Sequence, residues 1–219
     1  SLLTHEVQLI DAYLKGSGAG LFMLDPRATP ELGTYLAQWG ISVGQDIVVD
    51  TQLQLLRGRT FTLTPLAQSY GEHAITSDLG GRGSAALTTY GISRSVETTG
   101  EAVKGIELTN LVMTGPSAWA ETDLKEVFEK QTVRLDDHDR KGPISLAAAA
   151  AADLAEIDET KEGTARIVTF GNANFANNQF IGQYFNRDLL LNTVGWLVGE
   201  EELISIRPRT IRSSRVELT

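Results

Sequence analysis

Two sets of side chains in this sequence sit where chemistry could happen. Asp25 follows the apolar run Gly20 to Leu24, and Asp50 closes the run Asp46 to Asp50. Carboxylates at strand ends can act as acid and base when they lie several ångströms apart across a cleft. An aspartate there also serves as a turn former or helix cap, accepting backbone N–H groups. The second set is Gly171-Asn-Ala-Asn-Phe-Ala-Asn-Asn-Gln-Phe180, which puts Asn172, Asn174, Asn177 and Asn178 just past a buried-looking run, Arg166 to Phe170. In an open α/β sheet, ligands gather beyond the carboxyl ends of the strands. Amide side chains supply no acid, base or nucleophile, so this cluster can bind by hydrogen bonds or wire its own turn.

Other candidates carry less. Asp136-Asp-His-Asp139 invites a metal, but its spacing fits neither a calcium loop nor a zinc motif, and Arg134, Arg140 and Lys141 make it a solvated charge run. Gly80-Gly-Arg-Gly83 lacks the Gly-Lys-Ser/Thr ending of a phosphate loop and reads as a link whose glycines supply positive φ. His5 and His73 stand alone in the sequence, as surface or cap histidines do. The chain has no cysteine, which removes disulfides, thiolate metal sites and a cysteine nucleophile. No Gly-x-Ser-x-Gly elbow replaces it. Neither a resident metal nor a cofactor is expected.

The elements that would hold these residues are partly legible. Thr4 reads as the cap of a helix with Val7, Leu9, Ile10, Tyr13 and Leu14 at helical spacing, stopped at Gly16 and Gly18. Strand 20–24, a helix from Pro30 to Trp39 ending at Gly40, and strand 46–50 predict a βαβ unit with parallel strands and a right-handed crossover. Residues 51–100 are rich in Thr, Ser and Gly. Within and just beyond them, Phe61 to Leu66 reads as extended, His73 to Asp78 as a short helix, and Ala85 to Ile92 and Ile106 to Met113 as strands. The run Ser145 to Ala152 holds alanine, the best helix former, yet it follows Gly142-Pro143 and leads by an acidic stretch, 153–162, to the strand 166–170. Strand is the preferred reading, with helix the alternative; the acidic stretch is then a hairpin tip. After the Asn-rich loop, an amphipathic helix begins at Asn186 as cap and buries Leu189, Leu190, Thr193, Val194 and Leu197.

Taken in order, several of these segments resemble the GldG family. The Asn-rich loop with Asn186-Arg-Asp-Leu-Leu-Leu-Asn192 is similar to that family's Gly-Asp-Ser-Asp-Phe-x-x-Asn motif and its following Asn-Arg-Asp-Leu-x-x-Asn helix. Further matches are Glu6 through Gly18, Leu24-Asp25-Pro26, Gly40-Ile41, Lys141-Gly142-Pro143 and Ile204-Ser-Ile-Arg-Pro208, so the likeness spans nearly the whole chain. The family comprises auxiliary proteins of ABC-type transport systems, including bacterial gliding motility. The resemblance implies a non-catalytic accessory domain working with an ABC permease and ATP-binding subunits and binding a protein partner or a small ligand. It also implies membrane helices outside the domain on both sides and an extracytoplasmic, periplasmic position. The implied fold is amidotransferase-like, as also seen in the amino-terminal domain of an intraflagellar transport protein; the amidotransferase activity would need the missing cysteine. Where the family has two loop aspartates this chain has Asn172 and Asn174, so no metal or acid/base role is carried to the loop.

Composition agrees with a soluble domain. The 219 residues are 42% hydrophobic and 21% charged, enough for one sizeable core. A net charge of −9 excludes the basic surface that nucleic acid requires. The expected fold class is α/β: a mainly parallel, flavodoxin-like or amidotransferase-like sheet flanked by helices, in one domain over 1–206 with a β-rich portion at 51–115. Residues 207–219, with Arg207, Arg209, Arg212 and Arg215 from Ile206 onward, read as an extended connector toward a membrane helix. A basic segment beside a membrane favours the cytoplasmic side, against the placement the resemblance implies. The competing functional class is a hydrolase of sugars or peptides using Asp25 and Asp50.

Overall fold

The computed structural model describes residues 4–27, 29–52, 63–83, 86–130 and 133–200. The connector at 207–219 and the motif at 204–208 lie outside them, as does the start of the extended run expected at 61–66. In chain order, helix α1 (Thr4–Leu14) is followed by strand β1 (Ala19–Met23), helix α2 (Pro30–Ala37) and strands β2 (Ile41–Val43) and β3 (Ile47–Asp50). Strand β4 (Leu66–Tyr70), the single-turn α3 (Ser77–Gly80), and strands β5 (Thr88–Thr89), β6 (Val96–Thr98), β7 (Ile106–Thr114) and β8 (Ala118–Glu121) come next. The chain continues through β9 (Arg140–Lys141), β10 (Ser145–Asp153), the short α4 (Leu154–Ile157), β11 (Thr164–Phe170) and α5 (Asn186–Leu197).

The sheet is not the mainly parallel one expected. A six-stranded sheet runs β1-β11-β10-β7-β4-β5, beside a pair β2-β6 and a three-stranded sheet β3-β8-β9. In the large sheet β1 and β11 are parallel, whereas the β11–β10, β10–β7, β7–β4 and β4–β5 pairings are all antiparallel. The chain is therefore a mixed, mostly antiparallel sheet with few helices, and the flavodoxin-like reading is overturned. The βαβ unit fails with it. After α2 the chain gives β2 to β6 and β3 to β8, and neither strand joins β1. The diversion has a local cause: Asp46 accepts from Ser95 N at 2.7 Å and from Ser95 Oγ at 2.6 Å, tying the start of β3 to the chain entering β6. A run of three apolar residues between two aspartates suits a parallel strand or a small antiparallel sheet equally well, so the sequence pattern could not separate them.

The alanine run is the sheet's centre. β10 lies between β7 and β11, hydrogen-bonded on both edges, and that ladder overrides alanine's helical preference. Ala147 and Ala149 face a core with Phe170, Phe175, Leu189 and Trp196, while Ala148, Ala150 and Ala152 face another with Leu14, Leu36 and Ile41. Small side chains on both faces let the two layers approach one thin strand. The acidic stretch after it forms the β10–β11 hairpin tip, with Asp153 Oδ1 capping α4 through Ala155 N at 3.0 Å. Elsewhere Ala85, the start of the strand expected through Ile92, lies outside the described residues and the rest of it forms strand at Thr88–Thr89, while the helix expected at His73 to Asp78 forms later, at Ser77–Gly80.

Candidate functional site

Because β1 and β11 run parallel, their carboxyl ends lie side by side, and Leu24 N donates to Phe170 O at 2.9 Å. One residue further, Asp25 Oδ1 accepts from Ala173 N at 2.9 Å, so the Asp25 turn and the Asn-rich loop form one edge. Asn172 is fully buried and its Nδ2 donates to Gly91 O at 2.9 Å; Asn174 Nδ2 donates to the same carbonyl at 3.0 Å. Asn177 builds its own turn, accepting at Oδ1 from Gln179 N at 2.8 Å and Phe180 N at 3.1 Å, and donating to Asn174 Oδ1 at 3.2 Å. Asn178 is exposed beside them. The structure places the five candidate residues along one edge, where Asp25, Asn172 and Asn174 each wire one loop to another and Asn172 Oδ1 is buried without a hydrogen-bond partner among the described residues. The loops meet so closely at Gly171 that a Cβ there would lie 2.0 Å from Arg94 O, which is why glycine ends β11.

Asn186 is not the helix cap the sequence suggested; that position is Phe185. The Asn186 amide is buried and pairs with the Thr89 peptide in both directions, accepting from Thr89 N at 2.9 Å and donating to Thr89 O at 2.9 Å. It also donates to Phe175 O at 3.3 Å and Phe180 O at 3.1 Å. A side-chain amide has the same donor–acceptor layout as a peptide group, so Asn186 closes β5 as a neighbouring strand would. Phe175 secures the loop from beneath, its ring 4.4 Å from that of Phe170. The buried stripe of α5 runs through Leu189, Asn192, Thr193 and Trp196, with Leu190 and Leu197 part-buried; Val194, expected inside, is 44% exposed.

Asp50 does not join Asp25. It is fully buried in another sheet, its Oδ1 accepting from Gln52 N at 2.9 Å and Ser117 Oγ at 3.0 Å, and its Oδ2 from Leu66 N at 3.3 Å. Sequence reasoning missed Arg94, which is 1% exposed and donates from Nε to Gly44 O at 2.6 Å and from Nη1 to Asp25 O at 3.3 Å. Burial lowers its pKa from the ordinary value and the Asp46 charge counters that, while a guanidinium keeps its proton throughout. Nothing in Ser93-Arg94-Ser95 marks it locally, because both carbonyls it holds come from distant turns.

A further feature of this edge is strain. Arg27, Thr29, Ile92 and Tyr184 have φ of 68°, 35°, 56° and 47°, left-handed backbone that non-glycine residues seldom adopt. Arg27 and Thr29 follow Asp25, Ile92 follows the Gly91 carbonyl held by the two asparagines, and Tyr184 precedes α5, where Phe185 N donates to Leu87 O at 3.0 Å. Ile92 and Tyr184 are 39% and 58% exposed, so strained backbone here presents apolar side chains to solvent.

The remaining candidates are structural. Asp136 Oδ1 accepts from His138 N at 2.7 Å, and the Asp139 carboxylate accepts from Thr122 N and Asp136 N, which builds a turn. His73 Nδ1 accepts from Ile75 N at 3.2 Å, and its ring stands edge-on to Trp196. Among the described residues no helix is long and apolar enough to cross a membrane.

No family model matches the chain, and no curated protein matches it. Among solved structures it is similar to the mmIFT52 N-terminal domain, with a TM-score of 0.58 and 16% identity over 90% of this chain and 72% of that one. Identity that low shows a shared fold alone, the mixed sheet described above.

Proposed function

We propose that this domain is a non-catalytic binding module, an accessory part of an ABC-type transport complex of the gliding-motility kind. On this reading it sits on the extracytoplasmic side of the membrane and engages the permease and ATP-binding subunits' complex through the edge built by Asp25 and the Asn-rich loop. The observation that supports it most is the gathering of strained, left-handed residues on that edge, with Ile92 and Tyr184 offered to solvent. Strain of this kind persists where the surroundings over-determine it, and it clusters at functional surfaces. The buried, fully bonded state of Asp50 supports a binding role over the hydrolase reading, which needs an accessible second carboxylate.

Detergent extraction of the tagged full-length protein tests the proposal, with co-purification of permease and ATP-binding subunits as the expected result. The paired changes Ile92→Gly and Tyr184→Asn suit the left-handed backbone and remove the apolar surface, so they should abolish co-purification without lowering the melting temperature. Failure of the unaltered protein to bring down either subunit would sink the transport reading. Turnover on ester, glycoside or peptide substrates that vanishes in Asp25→Ala would favour the hydrolase instead.

A further inference from the structure

At the opposite end of the large sheet a cleft of about 550 Å³ opens between the last turns of α1 and α2, the β6–β7 connection and the β10–β11 connection. That volume suits a ligand of drug size. Its floor is apolar and includes Trp39 and Leu154, 5% and 1% exposed, with Ile106 beside them. Three lysines from three separate segments line it: Lys15 at the end of α1, Lys104 before β7 and Lys161 before β11.

The acids of the cleft are already engaged. Asp11 accepts from Tyr35 Oη at 3.2 Å and from Lys15 Nζ at 2.8 Å. Asp158 accepts from Thr160 Oγ1 at 2.7 Å and Thr160 N at 3.0 Å, and these bonds hold its carboxyl below the ordinary range. Lys104 and Lys161 make no ion pair or side-chain hydrogen bond among the described residues. A chain of net charge −9 thus gathers three lysines against two carboxylates here, with Lys15 paired to Asp11, Lys161 feeling the Asp158 charge and Lys104 in no ion pair among the described residues.

We propose that this cleft binds a small anion with a flat apolar body, a ring system carrying a carboxylate, sulfonate or phosphate. Ile157, 45% exposed, and the part-buried Ile106 take the ring above Trp39, and Lys104 and Lys161 meet the anionic group. The site is separate from the Asn-rich edge and does not rest on the transport reading.

The probe is 8-anilinonaphthalene-1-sulfonate, titrated by fluorescence at low salt beside its uncharged analogue N-phenyl-1-naphthylamine. One sulfonate probe should bind per chain, more tightly than the neutral analogue, and its affinity should fall as salt screens the lysines. The double change Lys104→Gln/Lys161→Gln should weaken the sulfonate probe about tenfold, the loss expected from two surface-strength ion contacts, and leave the neutral analogue unchanged. Lys104→Glu alone, at an exposed position, should act in the same direction. Equal binding of both probes, or sulfonate binding indifferent to these changes in chains with unaltered melting, overturns the proposal.

Discussion

The Asn186 side chain makes four hydrogen bonds, two of them to the Thr89 peptide and two to carbonyls of the Asn-rich loop. Alanine there would take a hydrogen bond from the buried Thr89 N–H and from the Thr89 and Phe175 carbonyls, a costly loss, while Phe180 O keeps its bond from Gln183 N at 2.9 Å. Asn186→Ala should therefore lower stability by about 3 kcal/mol, well beyond a lost helix cap, as read from urea unfolding. A loss of 1 kcal/mol or less, at the level of about one cap, would mean that the loop closes over the gap. Ile92 gives the opposite sign. A β-branched residue at φ 56° carries strain that glycine would not, so Ile92→Gly should raise stability by about 1 kcal/mol even after glycine's greater entropy in the unfolded chain. Neither role was legible in the sequence. The partners of Asn186 and Ile92 lie far along the chain, and a residue type does not announce a long-range bond.

Elements fared unevenly for a related reason. Helices α1, α2 and α5 and strands β1, β7, β10 and β11 follow from local periodicity, capping and apolar runs, and they lie close to where those signals put them. Strand direction does not follow, because β3 carries the same apolar signature as a parallel core strand yet pairs antiparallel with β8. The carboxyl edge holding Asp25 and the asparagines was legible, since a strand breaking into an amide-rich turn is a local pattern; its lock onto Gly91 and Arg94 was not. For β10 the two-sided packing makes a testable claim. Ala149 is 1% exposed with a core layer against it, so Ala149→Leu should overpack the sheet and cost about 2 kcal/mol despite leucine's greater hydrophobicity. Ala151 is only part-buried, and Ala151→Val should change stability by less than about 0.5 kcal/mol. Thermal melts of the two variants separate these outcomes.

At the scale of the whole molecule, Glu121 is one group through which acidity acts. It is 3% exposed at the end of β8, accepting from Asp123 N at 2.9 Å and Trp119 Nε1 at 3.4 Å. Burial, with the Asp139 charge adding to it, holds its carboxyl above the usual range against the pull of those two donors. The folded chain thus keeps this proton more firmly than the unfolded one, so the contribution to stability is full below Glu121's ordinary value and fades as pH climbs through the raised one. Glu121→Gln should flatten this part of the profile, from Glu121's ordinary value upward, measured as urea midpoints. A variant whose profile keeps the unaltered slope would assign the pH dependence to other groups.

The parallel pairing of Ala19 with Arg166 also sets an order of events during synthesis. Strand β1 leaves the ribosome well before β11, its sole hydrogen-bonded neighbour among the described strands, and in the interval β4, β7 and β10 have time to pair among themselves. Such a distant closure carries a large loop entropy and belongs late on the folding path. Until β11 emerges, β1 waits as an unclaimed apolar segment, and the carboxyl edge that holds Asp25 against the asparagines does not yet exist.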